Sequence, residues 1–126
     1  MKPSLEDRQA ITELLSRYGL LIDQRRLDEW MELFLADAVI EVPGRPHMST
    51  GPDRRGLAAG APPGEHLVAP PIIRAGSSDD SALVEQSFHF YNLETRKVLV
   101  GWYEDELVKR EDTWYIARRA INYFRA

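Results

Sequence analysis

The second half of this chain consists of long β-prone segments in direct succession, and that order limits the fold more than any other feature. SALVEQSFHFYNLE, VLVGWYEDELVKRE and TWYIARRAINYFR are each rich in aromatic and β-branched residues. Turn clusters at Gly76–Asp80, Glu94–Lys97 and Glu111–Thr113 separate them. Such short connections leave no room for crossover helices, so sequential antiparallel pairing is expected. HLVAPPIIRA, just upstream, is also β-prone, but Pro70–Pro71 bars its middle from a central ladder and marks an edge or a bulge.

The first half has a different period. Leu5, Ala10, Ile11, Leu14, Leu15, Tyr18, Leu21 and Ile22 recur at helical spacing, with Ser4 as a cap and Glu6 and Asp7 at the positive end of the dipole. This helix should stop near Asp23–Arg26. A second, in LDEWMELFLAD, would turn Leu27, Trp30, Met31 and Phe34 inward, and DAVIEVP (37–43) reads as a strand. Between Pro43 and Gly64 lie five of the eight prolines and five of the eight glycines, which predicts a loop with at most a short turn at Arg55–Ala59. Helices followed by a run of strands make an α+β fold, and 126 residues fit a single domain, 1–126.

Composition narrows the function. There is no cysteine, which removes disulfides, thiolate metal sites and cysteine nucleophiles. The three histidines lack H-x-H or H-E-x-x-H spacing, so no metal and no cofactor is expected. Net charge is −4 with basic residues scattered, which argues against nucleic acid. Arg54–Arg55 and Arg118–Arg119 read as solvated surface or local ion pairs. No run approaches the ~18 apolar residues of a membrane span, and MKPSLEDRQ has no apolar signal core, so a cytoplasmic protein without membrane contact is expected.

The opening ITELLSRYGLLIDQRRLDEWMELFLADAVIEVPG, the strand GEHLVAPPIIRA and the ending VGWYEDELVKREDTWYIARRAINY resemble SnoaL-like proteins of the nuclear transport factor 2-like superfamily. That group contains scytalone dehydratase, bile-acid dehydratases and polyketide cyclases. The ending is equally similar to the small subunit of aromatic-ring-hydroxylating dioxygenases, which shares the fold but holds no active site. The resemblance implies a cone-shaped, curved antiparallel sheet wrapped around the N-terminal helices and enclosing one pocket. The family's usual third helix falls in Pro43–Gly64, where this sequence looks to have lost most of it.

Three residues stand out as site candidates. Asp23, at the negative end of the first helix, is either a turn aspartate paired with Arg25 or Arg26, or the partner that orients His66 at the cone mouth. His66 opens a strand beside an apolar run and is either a structural histidine or, with Asp23, a base. By resemblance the two match the dehydratases' aspartate and histidine. Tyr18 lies about 140° of helix rotation from Asp23, so the two share a rim rather than a face. It is either a core tyrosine or a donor to a substrate oxygen, and its Tyr-x4-Asp spacing resembles that of bile-acid dehydratases. On SALVEQSFHFYN, alternation sets Glu85, Ser87, His89 and Tyr91 against Val84, Gln86, Phe88 and Phe90, with the polar set assigned to an outer or interface face.

These readings favour a cofactor-free lyase or isomerase, foremost a dehydratase, acting on a small organic carbonyl or polycyclic molecule. A polyketide cyclase would use the same pocket. A non-catalytic scaffold related to the dioxygenase small subunit is the alternative from another class. The uncovered face of a sheet curved around helices also predicts a homodimer or homotrimer.

Overall fold

In the computed structural model of the protein, residues 2–124 are described. Helix α1, Leu5–Asp23, begins in a reciprocal capping box. The Asp7 backbone N–H donates to Ser4 Oγ, and the Ser4 backbone N–H donates to Asp7 Oδ2, both at 3.1 Å. The other Asp7 oxygen accepts from Lys109 Nζ and Trp114 Nε1, also at 3.1 Å. One carboxylate therefore both starts the helix and ties its first turn to the far hairpin of the sheet. The helix buries Ile11, Leu14, Leu15, Tyr18, Leu21 and Ile22 along the expected stripe, whereas Leu5 and Ala10, expected on it, are exposed.

Helix α2 is only Leu27–Met31. Phe34, expected on the inner side of this helix, instead opens strand β1, Phe34–Glu41. Leu33-Phe34-Leu35 suits either state by pattern, and pairing decides it: Ile116 N–H donates to Leu33 O at 2.8 Å, and β1 runs parallel to the last strand.

The Pro/Gly-rich segment is not the loop its composition suggested. It contains helix α3, Gly51–Ala59, capped by Thr50, whose hydroxyl accepts from the Asp53 N–H. Pro52 sits in the first turn, where a missing N–H costs nothing, and Gly60 closes the helix. Two arginines fasten it. Buried Arg54 donates to the carbonyls of Ala38, Ala36 and Leu35 on β1, the first at 2.6 Å. Arg25 donates to Ala58 O and Ala61 O at the other end of α3.

The sheet has the order β1-β6-β5-β4-β2, with β3 also on β4. Strands β4 (Ser81–Asn92), β5 (Val98–Arg110) and β6 (Thr113–Tyr123) pair sequentially and antiparallel, as expected. Strands β2 (Gly64–Val68) and β3 (Ile72–Ala75) share the outer edge of β4 on either side of Pro70–Pro71. Val84, Gln86, Phe88 and Phe90 face inward and are buried, while Glu85, Ser87 and His89 face out. The sheet curves around α1, so the inward faces of β4, β5 and β6 make the core with that helix.

The arginine pairs are split by burial, which corrects the reading of both as surface features. Arg55 and Arg118 are exposed and pair with Asp28 and Glu41. Arg54 and Arg119 are buried, Arg119 fully: on β6 neighbouring residues point to opposite faces, and on helix α3 successive residues are about 100° apart, so Arg54 turns to β1 while Arg55 turns to solvent.

Asp7 supplies a test of the scaffold. Burial pushes its carboxyl up, but the Ser4 N–H, Lys109 and Trp114 more than offset this and hold it well below the usual carboxylate range. A depressed folded-state value stabilises at neutral pH, and that stabilisation is lost as pH falls through the folded value. Asp7→Ala should cost about 1–3 kcal/mol at pH 7, through the lost cap and an orphaned Trp114 N–H. The gap between parent and variant in urea denaturation should narrow as pH falls below about 4. A gap independent of pH would refute the assignment.

Candidate active site

Between the end of α1, α3 and the inner face of the sheet lies a cavity of about 540 Å³. Its walls are mainly apolar and include Ile22, Leu57, Phe88, Phe90 and Ile121. The polar groups on it are Tyr18, His66, Tyr103, Tyr123 and Arg45. A few convergent polar groups on an apolar wall are the usual make-up of a small-molecule site.

His66 is held by Asp23 in two ways. Its Nδ1 lies 2.6 Å from Asp23 Oδ1, and its backbone N–H donates to Asp23 Oδ2 at 2.7 Å. Arg25 and Arg26, the alternative partners for Asp23, are engaged elsewhere: Arg25 with α3, and Arg26 with Glu29 and Gln24. With Nδ1–H committed to the carboxylate, the neutral ring carries its lone pair on Nε2. His66 lines the cavity whereas Asp23 does not, so the carboxylate stands behind the imidazole rather than in the mouth.

This arrangement depends on Gly19. A Cβ built there would lie 2.5 Å from the His66 Cβ, so only glycine lets α1 approach the edge strand this closely. Sequence reading passed over it, although a glycine inside a well-formed helix costs about 1 kcal/mol relative to alanine and so signals a packing reason.

Tyr18 stands edge-on to His66, with ring centroids 6.3 Å apart and planes at 90°. Tyr103, on β5, is 5.7 Å from Tyr18 and stacks on Phe88 at 4.4 Å. Beneath both phenols lies the Arg119 guanidinium, 4.2 Å from the Tyr18 centroid and 3.7 Å from that of Tyr103. Arg119 forms a fully buried bidentate pair with Asp105, with both bonds at 2.8 Å. Burial pushes the Tyr18 phenol above its ordinary value against the pull of Arg119, and pushes Tyr103 well above its own. Both remain protonated at neutral pH and can donate hydrogen bonds. Tyr103, Arg119 and Asp105 were not singled out from sequence. Their signal was the alternation of β5, which places Gly101, Tyr103, Asp105 and Leu107 on the buried face.

A family model described as the SnoaL-like domain matches residues 3–120. The chain belongs to the SnoaL-like family. No curated protein matches it in sequence. Among solved structures, a candidate scytalone dehydratase from Novosphingobium aromaticivorans is 19% identical, covering 96% of this chain and 86% of its own, with a TM-score of 0.83. A Nostoc punctiforme protein of unknown function with a cystatin-like fold is 18% identical, covering 100% and 97%, with a TM-score of 0.87. A hexachlorocyclohexane dehydrochlorinase, LinA type 2, is 18% identical, covering 96% and 88%, with a TM-score of 0.78. At these identities the likeness is one of fold. Among the described residues of this SnoaL-like chain, no helix is long and apolar enough to cross a membrane, and no group of three His, Cys, Asp or Glu is placed to hold a metal ion.

Gly19→Ala tests the close approach through its sign. Helix propensity alone predicts stabilisation by about 1 kcal/mol. Collision with His66 predicts the reverse, a loss of about 1–3 kcal/mol, together with displacement of the imidazole. Denaturant melts and the His66 ring signals in NMR read both. A stabilised variant with unchanged imidazole signals would overturn the packing.

Proposed function

We propose that this SnoaL-like chain is a cofactor-free acid–base lyase of the dehydratase type, acting on a small organic carbonyl compound held in the cavity. The observation that carries the reading is the 2.6 Å Asp23–His66 contact at the wall of an apolar cavity. His66 Nε2 takes a proton from the carbon next to the substrate carbonyl, while Asp23 stabilises the imidazolium that forms. Tyr18 donates a hydrogen bond to the carbonyl oxygen, where negative charge develops. The electron pair of the broken C–H bond forms the new C=C bond as the C–O bond at the β-carbon breaks. The departing hydroxide takes the proton back from His66 and leaves as water, so the enzyme ends neutral as it began. Two of the structural relatives are named for eliminations, one of water and one of hydrogen chloride, and this step belongs to the same class.

The outer sheet face carries exposed Leu67, Ile72, Leu83 and Val98. We propose that a second or third copy of this chain covers it. Light scattering should report a homodimer or homotrimer that Leu83→Glu weakens, and a monomeric parent would refute this.

His66→Ala should lose about 10²–10⁴-fold of the rate with the fold intact. Asp23→Asn keeps the shape but removes the charge, and should lower kcat with little change in KM. The assay is loss of water from a panel of β-hydroxy-carbonyl and polycyclic compounds. If the parent shows activity and neither substitution alters it, the acid–base assignment is wrong. If no turnover is found and a large subunit co-purifies with the native protein, the scaffold alternative takes its place.

A further inference from the structure

The cavity is asymmetric in charge. None of its lining residues is acidic, although the whole chain carries −4. Apart from His66, the only cationic side chain among the described lining residues is Arg45. A tight turn sets its place: the Arg45 N–H donates to Val42 O at 3.1 Å, with Pro43 and Gly44 between them. Gly44 has φ +77°, and proline followed by a positive-φ glycine fits a type II turn, which fixes where the chain re-emerges.

Among the described residues Arg45 also has no counter-ion. Glu41, the carboxylate on the same segment, is taken by Arg118 at 2.6 Å and His47 at 3.3 Å. Among the described residues no other group accepts a hydrogen bond from the Arg45 side chain. Its charge acts on Tyr123, the last residue of β6, which also lines the cavity. Burial raises that phenol, and Arg45 pulls it back. Arg45 is exposed, so the cation stands at the open rim of the cavity, in reach of solvent.

We infer that the cavity takes a compact apolar molecule bearing one carboxylate, and that Arg45 binds the carboxylate. The planar guanidinium fork matches a carboxylate in two parallel hydrogen bonds. The apolar body of the ligand would lie against Ile22, Leu57, Phe90 and Ile121. Among the described lining residues an anion meets no carboxylate, because Asp23 stands behind His66 and Glu41 is paired with Arg118. This inference names the substrate class of the acid–base reading and rests on it, as an alicyclic or aromatic acid with a removable proton.

The test is a binding measurement on the whole protein with two fluorescent probes of one ring system. 1-Anilinonaphthalene-8-sulfonate carries an anionic group standing in for the carboxylate, and N-phenyl-1-naphthylamine lacks it. The parent should prefer the anionic probe. 2-Naphthoate should displace that probe, whereas inorganic phosphate, with no apolar body, should not at the same concentration. Arg45→Ala should lower the ratio of anionic to neutral affinity about tenfold, the size of one charge-assisted hydrogen bond. Arg45→Lys should restore part of the ratio. Ala61→Trp, which fills the cavity, should weaken both probes and so locate the binding. An unchanged ratio in Arg45→Ala, or binding of the anionic probe that survives Ala61→Trp, overturns the inference. Because turnover is not read, a parent that binds as described but converts no substrate refutes the acid–base reading alone.

Discussion

Under the cavity floor, Arg119 and Asp105 face each other across β6 and β5 with no exposure to solvent. Two charges removed from water are costly, and only near-ideal geometry with further support compensates. The bidentate pair supplies the geometry, and the faces of Tyr18 and Tyr103 supply the support. Among the described residues Arg119 Nη1 nevertheless has no hydrogen-bond partner, so the site holds its cation at some cost. Breaking such a pair from one side generally costs about 3–5 kcal/mol. The pair thus joins β5 and β6 to α1 through an aromatic sandwich, and everything above it rests on that layer.

From this layer the position of His66 follows. Tyr18 on Arg119 fixes the rotation of α1, and that rotation turns Gly19 towards β2. With no side chain at Gly19, β2 comes close enough for Asp23, four residues on, to hold both the backbone and the ring of His66. An edge strand is ordinarily the least constrained part of a sheet. Here the His66 N–H is anchored by a carboxylate, so the imidazole is oriented by two bonds from one side chain. Such preorganisation is what a proton-transfer site requires, because little reorganisation remains to be done when the charge forms.

Much of this could be read from the sequence, and the parts that could not have physical reasons. Period and turn chemistry were enough for α1, for the three long strands and for the edge role of the Pro70–Pro71 segment, because those signals are local. Helix α3 was misread because proline and glycine were counted rather than placed. Thr50 as cap, Pro52 in the first turn and Gly60 at the end are start and stop signals at a spacing that admits nine residues. Phe34 was misread because an apolar run suits helix or strand, and only pairing with β6 decides. Asp23, His66 and Tyr18 stood out through the resemblance to the dehydratases, since residue type and spacing alone also suit a turn aspartate, a structural histidine and a core tyrosine. Arg119 did not, since a doubled arginine looks like surface until the strand register assigns one of the two inward.

The cavity itself bears on enzyme against scaffold. In a domain of 126 residues little apolar surface is spare, and a void lined by side chains forfeits the packing contacts that would otherwise stabilise the core. A purely structural subunit gains nothing from about 540 Å³ left open between Phe88, Phe90, Leu57 and Ile121, since larger side chains at Gly60 or Ala61 could fill it. The same wall places a carboxylate-backed imidazole, two protonated phenols and an unpaired guanidinium around that space. Tyr18, Tyr103 and the Arg119 beneath them would each be cheaper in solvent, whereas Arg45 already reaches it. Forgone packing and polar groups gathered at one spot support the proposal of a bound ligand over that of a bare scaffold, and under that proposal the Asp23–His66 pair would serve as its proton acceptor.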